Sequence, residues 1–261
     1  METNAQLTKK VDQHDLEMKV KDMYREVALY PDHEFHFKMG RELALSLGYP
    51  SEILNKIPQE SIDSFAGVGY YFELGKLQEG ELVVDLGSGS GMDAFFAGEF
   101  VKDTGEVIGI DMTDEQLDKA NRLRDKAGLN NVRFIKSYIE DLPLESSSAD
   151  VVISNGVINL SGNKEKVFKE AYRILRSGGR MVISDIISEI QLPESISCNA
   201  TLWAACIGGA MQKNLYYNLI NQAGFIFDKV QINNYEFISD NARNAGEKYG
   251  ILSISLLAIK R

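Results

Sequence analysis

Two observations predict an α/β fold on a doubly wound, mostly parallel seven-stranded sheet. Short aliphatic runs alternate with amphipathic helical segments from about residue 80 onward, and the first run opens through a glycine-rich loop into a helix. The chain has 261 residues, of which 44% are apolar and 25% charged, which suits one large α/β domain with an added segment.

Residues 1–79 are expected to form that added segment, a helical lid or substrate-binding region ahead of a core at 80–261. Leu16, Val20, Met23 and Val27 recur at helical spacing; Phe35, Met39, Leu43 and Leu47 suggest a second helix, closed by Gly48. Two placements are open for these helices: across the ligand end of the sheet, or packed on its outside. In the core, ELVVDL (81–86) reads as a buried parallel strand and MDAFFAGEF as the helix after the loop. EVIGID (106–111) is the second strand. Thr113 and Gln116 have capping-box spacing, followed by a buried stripe of Leu117, Ala120, Leu123 and Ala127 and a left-handed cap at Gly128. NVRFIK (131–136) and ADVVISN (149–155) are strands three and four. The helix over 163–175 buries Val167, Phe168, Ala171, Ile174 and Leu175; Ser177–Gly179 is a turn, and RMVISD (180–185) is strand five. Leu215, Leu219, Ile220 and Ala223 mark a helix stopped by Gly224. Strand-like runs near 225–232 and 251–259 complete the set.

The formal charge of −10 opposes binding to phosphate backbones, and no basic run interrupts it, so nucleic acid is not the expected partner. The two cysteines, Cys198 and Cys206, have no metal-site spacing and no disulfide framework is expected. The polar N-terminus and the lack of a spanning apolar stretch lead to the expectation of a soluble, cytoplasmic protein without membrane insertion, acting on a small molecule.

Asp85-Leu86-Gly87-Ser88-Gly89-Ser90-Gly91 lies between a strand and a helix. Glycines there permit a tight turn and close approach of a ligand to the backbone. Their GxGxG spacing departs from the GxGxxG of dinucleotide binders, because position 92 is Met; NAD remains the alternative ligand. The Asp85 carboxylate can order the loop and face a cationic amino group. Asp111, at the end of strand two, can accept from both ribose hydroxyls, or simply cap the next helix. Met112 can pack on adenine. Ile139 and Glu140, after strand three, can hold the adenine ring and its amino group, or form a surface turn. No Ser-His-Asp or metal constellation is visible. Transfer of a group from an already activated donor needs none, since alignment and exclusion of water carry such a reaction.

DLGSGSGMD (85–93), GIDMTDEQL (109–117), VISNGVINLS (152–161) and LWAACIGGA (202–210) resemble the arsenite methyltransferases and, more distantly, the ubiquinone and menaquinone C-methyltransferases. The resemblance spans roughly residues 64–225. It implies a Rossmann-like class I methyltransferase that binds S-adenosylmethionine, with Tyr24 and Asn155 joining Asp85, Gly87, Ser88, Gly89, Gly91, Asp111, Met112, Ile139 and Glu140 as cofactor-binding candidates. The arsenite enzymes hold trivalent arsenic through three thiolates. At the matching positions this chain has Val68, Gly156 and Cys206, so two of the three thiols are absent. The resemblance implies that these three border one cavity, larger and more apolar than a metalloid site and suited to an organic acceptor. Tyr70, Tyr71 and Trp203 are further candidate walls of that pocket, though aromatics in such places are usually core, and Cys206 reads first as a small core filler and second as a pocket-lining contact. His33 and His36, if helical, share one face; His36 and Cys206 are the candidate catalytic groups. The competing readings are arsenite methylation with an altered thiol set and a cofactor-binding module without turnover.

Overall fold

The computed structural model describes residues 13–197, 207–238 and 240–261. The strands are β1 (Leu82–Leu86), β2 (Glu106–Asp111), β3 (Val132–Lys136), β4 (Ala149–Asn155), β5 (Leu175–Ser188), β6 (Met211–Gln212), β7 (Phe225–Ile232) and β8 (Ile251–Lys260). Seven form one sheet in the order β3-β2-β1-β4-β5-β8-β7, and the two-residue β6, which the sequence did not signal, pairs with the end of β5. Pairs among β1 to β5 are parallel, whereas β8 runs antiparallel to both β5 and β7. The strand order reverses between β1 and β4, which opens a crevice at their carboxyl ends.

Helices cover both faces, which is why the central strands are continuous aliphatic runs. α1 (Gln13–Leu29) packs on the helix at 114–127 and borders the strand ends; α2 (Gly40–Leu47), α3 (Met92–Val101) and α4 (Asp114–Ala127) share the core on one face. On the other lie α5 (Lys164–Ile174) and α6 (Lys213–Gln222), packed on Val84, Ile108, Val152 and Ile183. A last helix, α7 (Asp240–Tyr249), precedes β8. Helix α3 is buried over most of its surface, Glu99 apart, because the sheet covers one side and the N-terminal segment the other. Phe96 meets the rings of Phe72 and Tyr49 at 4.6 and 5.1 Å, so residues from 1–79 share one core with the sheet. Burying such a ring stabilises by about 1.5–3 kcal/mol.

Several local expectations are corrected. The capping box at α4 does not form: Thr113 makes no side-chain cap, and Gln116 is drawn into longer-range contacts described below. Ala127 is exposed, while Leu117, Ala120 and Leu123 are buried and Gly128 takes the left-handed cap at φ +65°. The second helix starts only at Gly40, leaving Phe35 and Met39 outside it; residues 31–38 form turns and bends, so His33 and His36 share no helical face. Leu175 begins β5 instead of ending α5, and the turn at 177–179 is a bulge within β5, where the register to β4 slips between Ala149 and Val151.

Candidate functional site

A cavity of about 540 Å³ opens where β1, β2 and β4 end. Its floor is the glycine-rich loop. Gly87 sits at φ +73°, and a Cβ there would collide with the Val157 side chain, so both the backbone and the neighbour demand glycine. Gly91 lies off the cavity wall and serves as the left-handed start of α3, where a Cβ would lie 2.7 Å from Phe134. The N-terminus of α3, ten residues long, thus faces the cavity with its amide dipoles.

Asp85 is 2% exposed and Ser88 8%, yet Asp85 Oδ2 and Ser88 Oγ have no hydrogen-bond partner in the protein. Unsatisfied buried groups of this kind carry a desolvation cost that a ligand's donors and acceptors can relieve. Asp111 is half-buried: its Oδ2 accepts from the Gly89 amide at 2.9 Å and its Oδ1 from the Thr113 amide at 2.8 Å. The carboxylate therefore braces the loop and the start of α4 together and keeps lone pairs for a ligand. Burial pushes Asp85 well above the usual carboxylate range, reinforced by the nearby charges of Asp93 and Asp111. Burial also raises Asp111, against the pull of the Thr113 and Gly89 amides.

Asp93, which sequence reasoning missed, is the hub behind the loop. It is buried and accepts from Tyr49 Oη at 2.7 Å, Tyr71 Oη at 2.9 Å and Asn155 Nδ2 at 3.0 Å. Burial raises its pKa despite these donors. Asn155 Oδ1 in turn accepts from the Val68 amide at 2.7 Å, tying the 67–69 turn to the end of β4. Gln116 is a second missed residue. Its Nε2 donates to the Tyr24 carbonyl at 2.7 Å and its Oε1 accepts from Ser90 Oγ at 2.5 Å, which fastens α1 to the glycine loop. The only available signal at 116 was the capping-box spacing, which pointed elsewhere.

Of the sequence-derived candidates, Tyr24, Asp85, Gly87, Ser88, Gly89, Asp111, Met112, Ile139, Glu140 and Asn155 are brought together on the cavity wall. Val68, Tyr70, Tyr71 and Gly156 are not. Val68 is fully buried, and its Cγ1 would lie 3.2 Å from a Cβ at position 156. The branched Val68 side chain therefore fills the space beside Gly156, and the enlarged cavity expected from the missing thiols is not formed there. Tyr70 packs into the aromatic core, 4.8 Å from Tyr49. His36 is exposed, edge-on to Phe37 at 4.8 Å, and is not on the wall. Cys198, Trp203 and Cys206 lie outside the described residues.

The cavity wall also carries apolar side chains, among them Leu16, Val20, Phe65, Ala66 and Leu160. Six carboxylates (Glu17, Asp85, Asp93, Asp111, Glu140, Asp141) border the cavity, against one described cation, Lys166. Across the mouth, Tyr138 Oη donates to Glu17 at 2.6 Å and accepts from Lys21 Nζ at 2.8 Å, with Nζ 4.9 Å from the ring centre. Among the described residues no group of three or more His, Cys, Asp or Glu could hold a metal, and no helix is long and apolar enough to cross a membrane.

Comparison with known proteins agrees with this geometry. A family described as "Methyltransferase domain" matches residues 77–224. An arsenite methyltransferase of Halobacterium salinarum is 36% identical over 198 residues, 74% of this chain and 50% of the relative. The human arsenite methyltransferase is 41% identical over 152 residues, 55% of this chain and 40% of the relative. The chain thus spans about half the length of the curated relatives it matches. Among solved structures, an arsenic(III) S-adenosylmethionine methyltransferase from Chlamydomonas reinhardtii superposes with a TM-score of 0.64 at 32% identity, covering 86% of this chain and 75% of that one. The unsatisfied Asp85 and Ser88 and the free lone pairs of Asp111 leave polar groups on the cavity wall that a polar ligand can engage. The chain belongs to the S-adenosylmethionine-dependent methyltransferase family.

Proposed function

We propose that this chain transfers a methyl group from S-adenosylmethionine to a small organic acceptor that carries no negative charge, held against the apolar side chains of the cavity beneath α1, which acts as its lid. The carrying observation is the wall itself. Aliphatic and aromatic side chains from α1 and the 65–67 segment line part of the cavity, and its border holds six carboxylates to one described cation. An anionic acceptor would meet like charges in a medium of low dielectric, at a cost of several kcal/mol. Bound S-adenosylmethionine supplies the activated sulfonium methyl; the protein has to orient the acceptor and exclude water. Leu16 and Val20 of α1 serve the second task by roofing the cavity.

The named activity of the relatives favours a second reading, methylation of arsenite with thiols supplied partly from solution. Against it stand Val68 and Gly156, which offer no sulfur and leave no room beside each other. The test is incubation with methyl-labelled S-adenosylmethionine and fractionated cell extract. Label in neutral or cationic small molecules is the expected result, and label confined to anionic products overturns the charge assignment. Labelled methylarsenicals formed from arsenite at catalytic rate overturn the organic acceptor. Cofactor binding with no product in either experiment favours a module without turnover.

A further inference from the structure

Lys164 is a buried cation that the methyl-transfer reading does not use. It is 5% exposed, at the first position of α5, where the helix dipole disfavours positive charge. Burying an ammonium is costly unless it is paired and hydrogen-bonded. Burial accordingly lowers its pKa, while the Asp185 carboxylate acts in the opposite sense. Asp185 is itself pinned, accepting from Tyr216 Oη at 2.6 Å and from the Ile186 amide at 2.9 Å. The helix start and burial both oppose a charged lysine here, so its hydrogen bonds must explain it. Nζ donates to the carbonyls of Asn159 at 2.8 Å and Ser161 at 2.9 Å, closing the turn Ile158–Leu160 against α5. Ser161 Oγ then donates to Glu140 Oε1 at 2.5 Å and accepts from the Asn163 amide at 2.9 Å. Glu140 stands on a segment without regular structure, so its carboxylate takes its aim from this chain of contacts.

We infer that Lys164 is a positioning residue that, through Ser161, aims Glu140 at the amino group of the cofactor's adenine. This rests on the cofactor reading of the cavity and adds what makes its adenine end selective. An aimed carboxylate accepts from an exocyclic amino group and repels a carbonyl in the same place, so it distinguishes adenine from hypoxanthine.

Calorimetry with S-adenosylhomocysteine and with S-inosylhomocysteine, in which a carbonyl replaces that amino group, tests this directly. The expected wild-type preference for the adenine compound is tenfold or more. Lys164→Met and Ser161→Ala each should reduce it to within about threefold, mainly by weakening the adenine compound. A general structural defect would weaken both compounds alike and leave the ratio intact. Ser161→Ala, which keeps the buried ammonium and its two carbonyl acceptors, decides the matter if Lys164→Met does not fold. Full preference retained in a folded variant overturns the positioning role alone. Equal wild-type binding of both compounds overturns the assignment of Glu140, and wild-type binding of neither overturns the cofactor reading beneath it.

Discussion

At the scale of single residues, Asp85 carries the most information. Its carboxylate is buried, one oxygen is unsatisfied, and Asp93 and Asp111 add negative charge nearby. Such a residue opposes the ligand-free fold and favours a cation in the cavity. Asp85→Asn keeps the volume and removes the charge. Calorimetry should find S-adenosylmethionine binding weakened at least tenfold, about 1.4 kcal/mol, while thermal unfolding of the ligand-free variant moves upward. Unchanged affinity would remove the ammonium-binding role. Asp85, Asp111 and the glycines were legible because their work is local: a strand end, a tight turn and a helix start lie within a few residues. Asp93 was not, since it reads as an ordinary acid in the first turn of a helix. Its meaning comes from Tyr49, Tyr71 and Asn155, which only the folded chain brings together.

At the scale of elements, strands were read well because burial on both faces leaves a continuous aliphatic signature, as in β1 and β4. Helix starts fared worse. Gln116 had the spacing of a cap but is used to join Tyr24 to Ser90, a tertiary contact that overrides the local option. Val68 and Gly156 show the same limit: their identities were noted as lost thiols, but only packing reveals that one fills the space beside the other. The latch over α1 was equally invisible, since Tyr138 is more than a hundred residues from the Glu17–Lys21 pair it meets. Tyr138 is 43% exposed, so its contacts to Glu17 and Lys21 are each worth only about 0.2–1 kcal/mol. Tyr138→Phe should therefore barely move the unfolding midpoint. If α1 is a lid, stopped-flow displacement should show S-adenosylhomocysteine leaving several-fold faster. An unchanged release rate would mean that this latch does not govern cofactor exit.

At the scale of the whole molecule, the acidic chain places six carboxylates on the cavity border, and the buried ones among them respond to pH. Asp85 and Asp93 have folded-state pKa values above their ordinary 3.8, chiefly through burial. The folded protein therefore holds their protons more tightly than the unfolded chain does. The stability they contribute is fully present below about pH 3.8 and is lost as pH rises through the raised values. A cationic ligand reverses the balance, because it favours the ionised carboxylates and lowers those pKa values on binding. S-adenosylmethionine carries one positive charge more than S-adenosylhomocysteine, so the difference between the two isolates the electrostatic part. Thermal unfolding followed with each ligand from pH 8 down to pH 5 should show the stabilisation by S-adenosylmethionine shrinking faster than that by S-adenosylhomocysteine. Asp85→Asn should flatten this divergence, since one of the two titrating carboxylates is gone. Parallel curves for the two ligands in the unaltered protein would mean that the sulfonium charge does not sense these carboxylates, and that the acidity of the cavity serves only the ligand's amino group.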